Sequence, residues 1–478
     1  MDKFKLKNRK FFWFLAGSAS VIALATLFTT HSPINNSKLI AAEVKDQVNG
    51  KATLPLEFKI AIEKNFKQAN SYPETFNIDK RKFKIEYAFN NQLDAQIKKL
   101  LKMYRSDYST VTVIDNETGE VLAAVGHEGK PNRFDASLIL SSTHPSASLI
   151  KIITAAELVQ NAKISKDTPF EFRGRSTTLF KYQLNDSKNP RWDKSQTFET
   201  AFAKSNNVIF GKAAIQNMNS QRLVKMAENF GFNDQLMNEF DFLKSQIKQA
   251  DDDYKLAELA SGFNNETVVS PIHAASIASI IANDGILKNP IMISKIVDAN
   301  TGEVIWQNSS IAKRVITAEA NKEMMDMMEM TIDGGTARKS FKKMNTGYKN
   351  ALEIGGKTGS ITGGKPFGKR DWFAAYAIPK DPERGKGISI SVMNVNVKRW
   401  HVKSTMLAKN IIEYYYNNIK PVPITMVKMP KTLSAQSKRY RKSPSRSTAS
   451  KKSFSQKRKS SEKKQIGKRN ERKSKARI

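Results

Sequence analysis

The sequence predicts an α+β domain. Three observations predict it: β-rich runs stand at both ends of the globular part, helix-period segments fill its middle, and Gly/Pro/Lys turns separate the last runs. Strands at both ends around a helical middle imply a sheet that joins the two ends of the chain.

The elements follow in order. Residues 1–10, MDKFKLKNRK, carry five basic residues and one Asp, and positions 11–30 carry no charge. About 20 apolar residues span a bilayer as a helix, and basic flanks stay on the cytoplasmic side. The expectation is a basic cytoplasmic segment at 1–10 and a single transmembrane signal anchor at 11–30, with the rest in a periplasm. Cleavage after the Ala23-Leu24-Ala25 triplet, as in a signal peptide, stays open. Residues 31–82 are polar, broken by His-Ser-Pro, Asn-Asn and Tyr-Pro, and hold one amphipathic stretch near LEFKIAIEKNF; they read as a stalk. From Asn90, Leu93, Ile97, Leu100 and Leu101 recur at helical spacing. STVTVIDNETGEVLAAVGH then reads as a β-hairpin around Asn-Glu-Thr-Gly, and SKIVDANTGEVIWQN at 294–308 as a second one. SLIKIITAAELVQN, AFAKSNNVIFGKAA, SQRLVKMAENFGF and SPIHAASIASIIANDG carry helical periodicity, as does TAEANKEMMDMMEMTIDGG. ALEIGGKTGSI, DWFAAYAI and GISISVMNVNV read as strands, and VKSTMLAKNIIEYYYNN closes as a helix.

Composition narrows the chemistry. The 478 residues include no cysteine, which excludes disulfides, thiolate zinc sites and a Cys nucleophile, so a nucleophile must be an oxygen or an amine. Formal net charge is +34, and residues 431–478 alone hold 19 Lys/Arg against two Glu. That Ser/Lys/Arg-rich stretch lacks the apolar surface needed to offset the entropy of ordering, so 421–478 reads as a linker and a disordered basic tail. The five histidines form no His-Glu-x-x-His pattern, so no metal site and no cofactor are expected.

In HPSASLIKIITAAELV the helix starting near Ser148 is apolar on nearly every face and therefore buried. Lys151 stands one turn from Ser148 on the same face. An ammonium taken out of water finds a partner or loses its proton, and a neutral amine beside a hydroxyl serves as a general base. The plainer alternative makes Ser148 a helix cap and lets Lys151 reach solvent. Ser-x-x-Lys alone carries little, because it recurs at Ser245/Lys248, Ser310/Lys313 and Ser461/Lys464. In AFAKSNNVIFGKAA, Ser205, Asn206 and Asn207 interrupt an apolar pattern, as a tight loop between two helices would. Such a loop points a hydroxyl and an amide into a cleft; a competing Ser187-Lys188-Asn189 sits in a more ordinary turn. EIGGKTGSITGG places Lys357, Thr358 and Gly359 on a strand, with Gly355 and Gly356 marking close approach of a backbone or a ligand. There Lys357 and Thr358 suit a substrate carboxylate, and the Ser360 and Ser148 N–H groups suit an oxyanion.

Together and in this order, Ser-x-x-Lys, Ser-x-Asn and Lys-Thr-Gly resemble the penicillin-binding transpeptidases and serine β-lactamases. VVSPIHAASIASIIANDGILKNP, DGGTARKSF and RDWFAAYA resemble intervening segments of the transpeptidase domain, and the resemblance spans roughly residues 83–420. It implies an antiparallel sheet flanked by helices with an inserted helical subdomain. It also implies a D,D-transpeptidase in which Ser148 attacks between the terminal D-alanines of a peptidoglycan stem peptide and Lys151 takes its proton. Ser205 with Lys357 would protonate the leaving amine, Asn207 would hold the substrate amide, and Thr358, Gly359 and Ser360 would bind substrate. β-Lactams would acylate Ser148. The 31–82 segment is too short for a glycosyltransferase domain, so a separate glycan polymerase is implied as a partner. The basic tail would bind anionic envelope polymers, with a solvated extension as the alternative, and no nucleic acid is expected. A D,D-carboxypeptidase, a serine β-lactamase and a non-catalytic wall-binding or sensor protein are the competing readings. His144 reads as a polar neighbour of Ser148 and not as a triad member.

Overall fold

A computed structural model describes residues 53–423, apart from 187–189, 238, 241–243 and 399. Segments 1–10 and 11–30, the basic tail and the competing Ser187-Lys188-Asn189 therefore lie outside the described residues. Among the described residues, no helix is long and apolar enough to cross a membrane.

The chain opens with helix α1 (Leu56–Ala69) and strands β1 (Thr75–Ile78) and β2 (Arg81–Tyr87). Helix α2 (Asn91–Tyr104) buries Leu93, Ile97, Leu100 and Leu101 and starts where the Asn90 side chain accepts from Leu93 N at 2.9 Å. Strands β3 (Tyr108–Asp115), β4 (Val121–Glu128) and β5 (Arg133–Phe134) follow. The middle is helical: α3 (Lys151–Ala162), α4 (Phe198–Ala203), α5 (Asn207–Asn217), α6 (Asp253–Ser261) and α7 (Pro271–Ala282). A second hairpin, β6 (Ile293–Asp298) and β7 (Val304–Gln307), precedes α8 (Ala318–Asp333). The chain then lays down β8 (Leu352–Gly363), β9 (Gly368–Pro379), β10 (Ile388–Asn396) and α9 (Ser404–Asn418).

The main sheet is antiparallel in the order β8-β9-β10-β3-β4-β5, so β10 pairs with β3 (Val392 opposite Val111) and joins the two ends of the chain as expected. Alternation along β9 explains why both faces are covered. Trp372, Ala374 and Tyr376 face one apolar cluster, shared with α3, α5 and α7. Phe373, Ala375 and Ala377 face another, shared with α2 and α9.

Both sequence-predicted hairpins form, and their turns are built alike. Asp115 Oδ1 accepts from the N–H groups of Glu117 and Thr118, at 2.9 and 3.1 Å. Asp298 Oδ1 accepts from those of Asn300 and Thr301, at 2.9 and 3.2 Å. Gly119 (φ 82°) and Gly302 (φ 74°) supply the left-handed residue each turn requires.

One expectation needs correction. The described part of the segment read as a stalk is folded into the body. Phe58, Ile62 and Phe66 of α1 join Phe76, Phe83 and Ile85 in the larger core, and β2 pairs with β6, Ile85 opposite Ile296, in a sheet ordered β1-β2-β6-β7. The boundary placed at residue 83 falls inside β2. Breaker residues dominate the local signal there, whereas the strand partner lies some two hundred residues away and leaves no local trace. Phe58 packs on the Phe76 and Phe83 rings at 5.3 and 4.9 Å between centroids. Phe58→Ala should therefore cost about 3–5 kcal/mol and lower the calorimetric midpoint of the whole domain; an unchanged midpoint would make this region an appendage.

Candidate active site

Ser148 does not begin an α-helix. It lies in a 3₁₀ turn, Ala147–Ile150, and the α-helix starts at Lys151. Ala147 is held in the left-handed region at φ 48°, a conformation that costs free energy and persists where the surroundings fix it. Those surroundings are close: a Cβ on Gly262 would strike the Ala147 carbonyl oxygen, and one on Gly359 would lie 3.3 Å from Ala147 Cβ and Ser146 O. The turn carrying Ser148 is thus clamped between the end of α6 and the Lys-Thr-Gly strand. No capping bond from Ser148 is present, so the helix-cap alternative does not hold.

Lys151 is fully buried. Its Nζ stands 3.0 Å from Ser148 Oγ, 2.8 Å from Asn207 Oδ1 and 2.5 Å from the Ser261 carbonyl oxygen. None of these partners carries a charge. Burial, and secondarily the charge of Lys357, push this amine well below its ordinary pKa. The side chain therefore does not reach solvent, as the alternative required. Asn207 begins α5, and its Nδ2 donates to Thr177 O at 3.1 Å, which sets its amide so that Oδ1 faces Lys151.

Ser205 occupies the loop between α4 and α5, at φ 58°. Its Oγ accepts from Lys357 Nζ at 3.0 Å, and the same ammonium donates to Thr358 O at 3.1 Å. Lys357 is fully buried, and burial brings its pKa down to about 7. The Phe210 ring lies 5.4 Å from Lys151 Nζ and the Phe202 ring 5.4 Å from Lys357 Nζ, so apolar walls take the place of water around both amines.

These groups meet at one cleft of about 670 Å³, lined by Ser148, Ser205, Asn207, Thr358 and Ser360, with the two lysines beneath it. Gly359 stays buried behind it. Strand β8 is the edge of the main sheet, and its free main-chain groups suit pairing with an extended peptide. The expectation for Gly355 and Gly356 is corrected. A side chain at these positions would strike the Tyr376 and Phe373 rings of β9, so packing inside the sheet explains them.

Sequence reasoning misses three contributors. The Thr336 hydroxyl lies 2.6 Å from that of Thr358, the Ser261 carbonyl and Thr177 carbonyl hold Lys151 and Asn207, and only Thr336 sits in a segment, DGGTARKSF, that carried any signal. His144 is buried and held neutral, its pKa lowered to about 3 by burial and by Arg370. Its Nδ1 faces Arg370 Nη2 at 3.2 Å, so it braces the segment before Ser148 and takes no triad position. Among the described residues no group of three His, Asp or Glu is arranged to hold a metal ion.

Residues 109–413 match the family described as the penicillin binding protein transpeptidase domain. The chain belongs to this family. Its transpeptidase domain resembles several solved structures. Penicillin-binding protein 3 from Mycobacterium tuberculosis is 16% identical with a TM-score of 0.58, covering 73% of this chain and 83% of that one. Penicillin-binding protein A from the same organism is 18% identical with a TM-score of 0.54, covering 69% and 81%. The D,D-transpeptidase domain of a peptidoglycan glycosyltransferase from Eggerthella lenta is 18% identical with a TM-score of 0.54, covering 74% and 86%. At these identities the likeness concerns the fold. No curated protein matches the sequence.

The lowered Lys357 pKa makes stability depend on pH. The folded form releases this proton near 7, while the unfolded chain keeps it up to the ordinary lysine value of 10.5. The unfolded state therefore binds more protons across that window, and stability falls as pH drops from the upper value to the lower. Replacing the lysine removes the term. Measured by denaturant unfolding, wild type should gain on Lys357→Met as pH rises from about 7 to 9.5, by up to about 1.4 kcal/mol per pH unit; parallel curves would contradict a lowered pKa.

Proposed function

We propose that this transpeptidase domain is a peptidoglycan D,D-transpeptidase working through a Ser148 acyl-enzyme. One observation carries the reading: the hydrogen-bond accounting at Lys151. A neutral amine has two N–H donors and one lone pair. The carbonyl oxygens of Asn207 and Ser261 take the two donors, which leaves the lone pair facing Ser148 Oγ at 3.0 Å. An amine so placed accepts the hydroxyl proton as the oxygen attacks.

In this mechanism Ser148 Oγ attacks the carbonyl between the two terminal D-alanines, and its proton passes to Lys151. The N–H groups of Ser148 and Ser360 face the oxyanion. The C–N bond then breaks. Ser205, bonded to the Lys357 ammonium, delivers a proton to the leaving D-alanine amine, leaving an ester on Ser148. An acceptor amine attacks that ester and gives up a proton to Ser205, restoring the one spent on D-alanine, while Lys151 returns its proton to Ser148 and a new amide cross-link is released. Thr336 and Thr358 suit the terminal carboxylate together with the Lys357 charge. Asn207 Nδ2 has one hydrogen beyond its bond to Thr177 O, and that hydrogen is available to a substrate carbonyl.

The family supports acylation by β-lactams. Penicillin-binding protein A of M. tuberculosis, a fold relative, is known as imipenem and penicillin G acyl-enzyme complexes. We further place the domain outside the cytoplasmic membrane, held by residues 11–30, because its proposed substrate is a wall polymer. A separate glycan polymerase and a wall-binding basic tail belong to the same proposal.

Fluorescent penicillin should label the wild-type protein and leave Ser148→Ala unlabelled, and Lys151→Ala should slow acylation by about 10²–10⁴-fold. An adduct on Ser148 lasting many minutes by intact mass supports the transpeptidase; turnover within seconds would instead make the protein a β-lactamase.

A further inference from the structure

One buried cation is not part of the cleft lining. Arg370 sits on β9 opposite Ile361 of β8, and its side chain is fully buried. Among the described residues no carboxylate pairs with it, and burial lowers its pKa to about 10. Its hydrogen bonds run to neutral acceptors. Nη1 donates to the Gly363 carbonyl oxygen, and Nη2 to Pro366 O at 2.8 Å and to His144 Nδ1 at 3.2 Å. The first two acceptors belong to the end of β8 and the turn after it; the third lies four positions before Ser148. Further bonds join the same two regions beside the guanidinium. Thr143 Oγ1 donates to Lys365 O at 2.7 Å, Lys365 N to Thr143 O at 3.3 Å, and the Trp372 indole N–H to Pro145 O at 3.0 Å. Gly364, at φ 72°, lets the turn close on this seam, since a Cβ there would strike both the guanidinium carbon and Pro145. An apolar side chain of similar volume would fill the space without burying a charge. What the guanidinium adds is a planar fork that fixes separate backbone segments at set distances.

Resting on the transpeptidase reading, we propose that Arg370 is a positioning residue for acylation, holding the end of β8 against the segment before Ser148 and so setting the spacing of the Ser148 and Ser360 N–H groups. Both donors ride on the regions that the guanidinium joins. Ser360 stands three strand positions before Gly363, and Ser148 follows the His144–Pro145 strand after two residues. Donors of this kind act on charge that develops only in the transition state. Loosening their spacing therefore slows the chemical step and spares the noncovalent binding that precedes it. A displacement of about 1 Å is enough to cost about 10²-fold in rate.

Acylation of the full-length protein by fluorescent penicillin, followed over a range of penicillin concentrations, separates noncovalent affinity from the acylation rate constant. Arg370→Met should lower the rate constant about 10²-fold and leave the affinity within about threefold of wild type. Arg370→Lys keeps the charge but offers one nitrogen to acceptors in two segments, and should lose about tenfold. A residue that only stabilised the fold would behave differently. Its loss would reduce the labelled fraction and the thermal midpoint while the labelled molecules reacted at the wild-type rate constant. That result overturns the proposal, and so does a loss confined to affinity. Should Arg370→Met fail to fold, Arg370→Lys decides, and a rate constant equal to that of wild type overturns the proposal. Failure of the transpeptidase reading is distinct, because it shows in the wild-type protein, as no penicillin adduct or as one that turns over within seconds.

Discussion

The site depends on a lysine amine kept from water beside a serine hydroxyl. An isolated buried ammonium is costly, and the protein surrounds Lys151 with neutral acceptors and an aromatic ring, with no carboxylate among its contacts. A carboxylate there would stabilise the charged form and raise the pKa of the amine. The acceptors come from three places: Ser148 from the turn before α3, Asn207 from the first residue of α5, and Ser261 from the last residue of α6. The helical middle of the chain is thus organised around one nitrogen atom.

The second amine has a different task on the same principle. Lys357 emerges from a strand, touches the Ser205 hydroxyl and stays cationic only part of the time near neutral pH. Its charge also lowers the Lys151 pKa. Two cations beneath one cleft cannot both be cheap, so environment separates their protonation and with it their chemical roles. Around them the cleft has no acidic lining, which favours anionic ligands over cationic ones.

Much of this was legible in the sequence. Ser148 and Lys151 stand out because their segment is apolar on every side, and the Ser205 loop because polar residues interrupt an apolar run. The strand bearing Lys357 to Ser360 is marked by its glycines, although Gly355 and Gly356 serve ring packing in the sheet and only Gly359 lies against the turn that carries Ser148. The sheet joining both chain ends was readable from the order of patterns alone. What was not legible depends on distant pairing. Residues 53–82 look like a connector until β2 meets β6, and main-chain carbonyls such as Ser261 O have no sequence signature. The 3₁₀ turn that carries Ser148 packs against Gly262, 114 positions downstream, so helical periodicity alone places the helix start too early.

The central sheet has a consequence for how this protein comes into being. Ser148 precedes Lys357 by 209 positions, yet the edge that completes the cleft is reached only through β9 and β10, whose inner neighbour is β3. A nascent polypeptide delivered amino end first therefore presents its hydroxyl and amine long before the opposite wall exists. The cleft is completed late, with the last strands docked, and a chain interrupted before them has the Ser148 hydroxyl and the Lys151 amine but not the strand that faces them.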